Sequence, residues 1–79
     1  MGVDGPFDEI LSRASEGDPT AFADLYRAYA PGVLGYLRAQ GASDAEDLMG
    51  EVFVSVARRI ASFEGDERKF RSWIFTVAH

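Results

Sequence analysis

The sequence predicts an all-α fold, a compact bundle of about four helices. Two observations carry this. Four separate stretches place apolar residues at i, i+3, i+4 and i+7, the repeat of one helical face, with helix start and stop signals between them. No stretch shows sustained apolar–polar alternation, an Asn-Gly hairpin signal or an internal repeat. Amphipathic helices joined by short loops bury their stripes against one another.

The first stripe is Phe7, Ile10, Leu11 and Ala14, with Asp4 placed to cap the helix and Gly17 to end it. Asp18-Pro19 then gives an N-cap oxygen followed by proline at the first helical position. The second stripe runs through Phe22, Leu25, Tyr26, Tyr29, Val33, Tyr36 and Leu37, and Gly41 closes it. Pro31-Gly32 interrupts this run. Proline removes one backbone bond and its ring meets the carbonyl of Arg27, so a kink or short break is expected, with the same face resuming. Ser43-Asp44-Ala45-Glu46 has the S-x-x-E form of a capping box and is expected to open a third helix. Its acids Asp44, Glu46 and Asp47 suit the positive end of the dipole, and Arg58 and Arg59 suit the negative end. The apolar face is Leu48, Met49, Val52, Phe53, Val56 and Ile60; Gly50, in mid-helix, weakens it. Phe63 to Glu67 reads as a turn. Phe70, Trp73, Ile74 and Val77 form the fourth stripe, and with no stop signal before His79 the last helix is expected to be cut short.

The 79 residues allow one small domain, organised as a leader and N-terminal helix over residues 1–17 and a helical domain over 18–79. Without cysteine there is no disulfide and no thiolate metal site. The acidic start lacks the basic-then-apolar pattern of a signal peptide, and no apolar run is long enough to span a bilayer. A small soluble domain inside the cell is expected.

Charge is unevenly spread. The net charge is −5 over Met1 to Tyr26, −2 over Arg27 to Glu51 and +2 over Val52 to His79. An acidic whole argues against a plain nucleic-acid binder, but a basic segment still acts locally at physiological salt.

Catalytic constellations are absent. The only histidine is the last residue and there is no cysteine, so Cys/His and Ser/His/Asp arrangements cannot be assembled. Gly32 and Gly35 lack the preceding strand and following lysine of a phosphate loop. The chain does not read as an enzyme, and neither cofactor nor metal is expected. The row Asp44, Asp47 and Glu51 has the donors for a hard cation, but such a row more often faces solvent or a basic partner.

Two binding constellations remain. One is that acidic stripe, with Leu48, Val52 and Phe53 beside it, which suits a basic partner helix. The other is the segment from Phe63 to His79, where Arg68, Lys69 and Arg71 interleave with Phe70, Trp73 and Phe75. Cations for phosphates and rings for bases suit single-stranded nucleic acid. Phe70, Trp73, Ile74 and Val77 share the core face, which leaves Phe75 as the candidate exposed aromatic. A helix-turn-helix around Gly41 would present Asp44, Glu46 and Asp47 to DNA phosphates, the wrong sign of charge. A helical protein-interaction module without DNA binding is the alternative that stays open.

Three motifs in order resemble region 2 of extracytoplasmic-function (group IV) RNA polymerase sigma factors. They are D-P-T-A-F-A-D-L-Y-R-A-Y-A-P-G-V-L-G-Y-L, A-E-D-L-M-G-E-V-F-V-S-V and F-E-G-D-E-R-K-F-R-S-W-I-F-T-V-A-H, and together they cover Asp18 to His79. The resemblance implies a dissociable subunit of bacterial RNA polymerase, cytoplasmic, that binds the core enzyme and recognises and melts the minus-ten promoter element. It implies that Asp47 and Glu51 face the clamp helices of the beta-prime subunit, with Leu48 and Val52 packing the helix. The family usually has glutamine where Gly50 stands, so one polar contact of that docking is missing here. The resemblance also implies that Phe63, Gly65, Asp66, Arg68 and Lys69 in the loop, with Arg71, Phe75 and His79 on the helix, meet the non-template single strand. A flipped base needs a pocket, and Gly65-Asp66 supplies backbone freedom for one. An anti-sigma factor is a further implied partner. Family members continue with an Asn/Asp/Arg-rich stretch, a linker and a second domain, so a longer natural protein is expected.

Overall fold

The computed structural model describes residues 5–79; the expected cap at Asp4 lies outside the described residues. Among them are four α-helices and no strand: α1 (Gly5–Ser15), α2 (Pro19–Ala39), α3 (Ala45–Arg59) and α4 (Glu67–Ala78), with a 3-10 turn at Ile60–Ser62. This is the all-α bundle expected from the periodicity.

Local chemistry sets most boundaries. At the start of α2 the Thr20 and Ala21 amides donate to the Asp18 carboxylate at 2.9 and 3.4 Å. The Thr20 bond, helped by Ala21 and Arg13 against partial desolvation, holds that carboxyl below its usual value. α1 and α2 end alike. Gly17 and Gly41 take φ of +95° and +89°, and the residues after them, Asp18 and Ala42, donate back to the carbonyls of Arg13 and Leu37.

Of the kink or short break expected at Pro31, the break is not found: α2 is continuous through it, and the same face resumes at Val33 and Leu37. Pro31 is exposed, so the carbonyl that it leaves without a donor can be hydrated, while Ala30 and Val33 on either side stay buried. The capping box at Ser43 does not form. α3 begins one residue later, with Asp44 at the N-cap and no side-chain cap bond. Glu46 therefore sits at the second helical position, and its carboxylate pairs with Arg38 of α2 at 3.7 Å.

The core takes Phe7 and Ala14 from α1, Leu25, Tyr29, Val33 and Leu37 from α2, Val52, Phe53 and Val56 from α3, and Phe70 and Ile74 from α4. No charged or polar residue is buried among the described residues. Phe70, fully buried, is the hub. The rings of Phe7, Tyr29 and Phe63 meet it edge-on at 5.3, 5.4 and 5.3 Å, and Trp73 lies tilted against it at 5.7 Å. One residue of α4 thus gathers α1, α2 and the α3–α4 connection.

Gly50 lies exposed in the middle of α3, and a Cβ there would meet nothing within 4 Å. Gly50→Ala is expected to stabilise the domain by about 1 kcal/mol, read as a higher thermal midpoint by circular dichroism. An unchanged or lower midpoint would mean that this glycine serves the fold in another way.

Candidate functional site

The acidic face of α3 follows from helical spacing. Asp44, Asp47 and Glu51, three and four residues apart, are all exposed. The ion pairs among the described residues lie elsewhere: Arg13 with Glu9 and Asp18, Arg27 with Asp24, and Arg38 with Glu46. Asp47 and Glu51 therefore present uncompensated charge. Leu48 and Val52 turn the other way: Val52 is buried, and Leu48 is half-buried against the core. Both line a cleft of about 490 Å³ between the ends of α2 and α4, which Glu51 also borders and Tyr36 and His79 help to close. Two of the four expected docking residues face outward, and two anchor the helix that presents them. Among the described residues no group of three or more His, Cys, Asp or Glu side chains is placed to hold a metal ion.

The second region is the connection Phe63–Asp66 and α4. Gly65 adopts φ of +151°, and a Cβ there would lie 3.0 Å from the Lys69 Cβ and 3.1 Å from the Phe63 ring. Only glycine lets the Lys69 stem and Phe63 close over the turn. The Lys69 amide donates to the Asp66 carboxylate at 3.0 Å, which makes Asp66 the N-cap of α4. One residue after that cap, Glu67 accepts from the Tyr29 hydroxyl at 3.0 Å, tying the start of α4 to α2. Burial first, then the adjacent Glu67 carboxylate, pushes the Tyr29 phenol up to about 12, so it stays protonated and donating at neutral pH.

The structure divides the residues expected at a single strand into two groups. Arg68, Arg71, Phe75 and His79, spaced three, four and four apart, run along one side of α4. Phe63, Gly65 and Lys69 cluster around the turn, where Phe63 stacks on Trp73 at 5.1 Å. Asp66 lies between the groups and, with Glu67, Arg68 and Arg71, lines a recess of about 450 Å³. Phe75 is less free than expected from its position off the stripe. It is half-buried, edge-on to Tyr36 at 5.6 Å, with its ring over Gly32. A Cβ at Gly32 would meet the tip of that ring at 3.5 Å, an ordinary contact, so it is the Tyr36 ring that holds Phe75 against α2. His79 follows along the same side, with Nδ1 3.1 Å from the Tyr36 hydroxyl. Arg58, Arg59, Arg68, Lys69 and Arg71 are exposed, and none takes part in an ion pair among the described residues. The basic residues of the N-terminal half are paired; those of the C-terminal third are not.

Sequence reasoning missed the Tyr29–Glu67 bond. The one available signal was a tyrosine in a core stripe, whose hydroxyl needs a partner when buried. Nothing in the sequence names Glu67, 38 residues away, as that partner.

Comparison with known proteins gives a family. The sigma-70 region 2 family model matches residues 25–79. The chain is 39% identical over 72 residues to the ECF RNA polymerase sigma factor BldN of Streptomyces coelicolor, covering 89% of this chain and 27% of that protein. It is 36% identical over 63 residues to the ECF RNA polymerase sigma factor RpoE of Cereibacter sphaeroides, covering 77% and 35%. With the RNA polymerase sigma factor CarQ of Myxococcus xanthus it shares 36% identity over 70 residues, covering 86% and 40%. The chain thus spans between about a quarter and two-fifths of the length of these curated relatives. No solved structure matches.

Proposed function

The chain belongs to the sigma-70 region 2 family, of the extracytoplasmic-function type, and on that premise we propose that it binds bacterial core RNA polymerase and captures the melted minus-ten strand. The observation that carries this reading is the separation of unpaired charge, acid along the first half of α3 and base from the end of α3 into α4. The outward carboxylates of Asp47 and Glu51 meet basic positions on the clamp helices of the beta-prime subunit. Leu48 and Val52 hold α3 against the core behind them. Arg68, Arg71 and Lys69 attract the phosphates of the non-template strand. The recess bordered by Asp66, Glu67, Arg68 and Arg71 receives an unstacked base. Phe63, Gly65 and Asp66 shape that recess from the turn; Phe75 and His79 continue the contact along the helix.

In this account the chain recruits and positions, and the chemistry of RNA synthesis belongs to its cytoplasmic partner. An anti-sigma factor would act by covering either charged face. An interaction module without DNA binding explains the acidic face alone and leaves the unpaired cations of α4 without a role.

Fluorescence anisotropy with a labelled single-stranded oligonucleotide at low salt tests the α4 surface. The wild-type chain is expected to bind weakly, and Arg71→Ala and Phe75→Ala to weaken binding several-fold. Arg71→Ala should also flatten the salt dependence by about 0.7 in the log–log slope, the loss of one phosphate contact. Equal binding by all three proteins would remove this helix face from the account.

A further inference from the structure

In this chain an acid that precedes an arginine by one helical turn binds it, with one exception. Glu9 pairs with Arg13 in α1, and Asp24 with Arg27 in α2. Glu67 and Arg71 have the same arrangement in α4, four residues apart with the acid first, the favoured order for such a pair. Both are exposed and both border the recess at the start of α4, yet no ion pair joins them among the described residues. The Glu67 carboxylate is taken up from another direction: the Tyr29 hydroxyl of α2 donates to it at 3.0 Å. Arg71 is close by, since at the Tyr29 phenol its charge opposes the upward push of burial and Glu67. Tyr29 itself has little freedom. Its ring is buried, edge-on to Phe70 at 5.4 Å, so its hydroxyl is held in place.

We infer that Tyr29 is a positioning residue for the strand-binding surface: its hydroxyl holds the Glu67 carboxylate toward α2, which leaves the Arg71 guanidinium free for a strand phosphate. The inference rests on the proposed contact of Arg71 with the strand and adds the group that keeps that contact open. A carboxylate and a phosphate compete for the same guanidinium N–H fork, since both accept two parallel bonds from it. Within α4, Glu67 is the one acid that helical spacing brings to Arg71. A neutral hydroxyl occupies that carboxylate without adding a charge that would itself attract or repel the strand.

A mutant cycle in the 79-residue chain tests this, read by anisotropy of a labelled single-stranded oligonucleotide at low salt. Tyr29→Phe keeps the ring against Phe70 and removes the hydroxyl. It is expected to weaken binding about threefold, the strength of an exposed ion pair that now competes with the strand. Adding Glu67→Gln should restore binding to the wild-type level or above. Glu67→Gln should also raise affinity about three times more on the Tyr29→Phe background than on the wild type. On the Arg71→Ala background Tyr29→Phe should have no effect, a result that a loosened fold would not give. The helical signal and thermal midpoint check that each variant is folded at the temperature of measurement. Suppose Arg71→Ala alone weakens binding. Then no loss in Tyr29→Phe, no rescue by Glu67→Gln, or an equal loss on the Arg71→Ala background overturns the inference and leaves the strand contact standing. An unfolded Tyr29→Phe variant would make Tyr29 a residue of the fold alone and overturn it too. If Arg71→Ala by itself has no effect, the strand contact of Arg71 falls and the inference falls with it.

Discussion

Phe70→Ala is expected to cost about 3–5 kcal/mol and to leave the domain largely unfolded at physiological temperature. The size follows from position. Phe70 has no exposed surface and touches the rings of Phe7, Tyr29, Phe63 and Trp73. Alanine there loses the transfer energy of the ring and opens a cavity that four aromatic neighbours cannot collapse into. A single core this small supplies about 3–5 kcal/mol of net stability, so the loss is of the same order as the whole. Chemical denaturation followed by circular dichroism checks it. A midpoint within experimental error of the wild type would mean that the aromatic hub is not what joins α1 to α4.

The second large effect falls on binding. Reversing both outward carboxylates, Asp47→Lys with Glu51→Lys, is expected to weaken association with core polymerase about 100-fold. Close charge pairs across an interface contribute on the order of 1.5 kcal/mol or more each, and two such losses multiply to that ratio. The fold should survive, because both residues are exposed and neither is in an ion pair among the described residues. The expected stability loss is at most about 1 kcal/mol, from placing a lysine in the first turn of α3 where the dipole favours Asp47.

Much of this architecture was legible in the residues. The stripe at Phe70, Trp73, Ile74 and Val77 located α4, and its two innermost members, Phe70 and Ile74, have no exposed surface. Asp18-Pro19 located the start of α2 because both signals are local. The failures have tertiary causes. The S-x-x-E pattern at Ser43 was a valid local signal, but Glu46 finds Arg38 on the neighbouring helix, and α3 starts a residue late. Of the kink or break that Pro31 signalled, the break is absent, because packing on both sides of it keeps α2 continuous. Phe75 lay off the core stripe of its own helix, yet the Tyr36 ring on α2 packs edge-on against it. The charge segregation was visible as a sum along the chain. That the N-terminal cations are spent in ion pairs and the C-terminal ones are not needed the folded arrangement, since Arg38–Glu46 joins two helices.

The central claim is that one small bundle holds two separable surfaces, an acidic one for polymerase and a basic one for a single strand. One paired titration tests it most directly. The wild-type chain and the Asp47→Lys, Glu51→Lys double variant are each titrated with core polymerase and, separately, with a labelled single-stranded oligonucleotide at the same salt. The account predicts that the variant loses polymerase affinity about 100-fold while its oligonucleotide affinity stays the same or rises, since negative charge has been removed. Undiminished polymerase binding, or loss of both ligands together in a variant that remains folded, would contradict it.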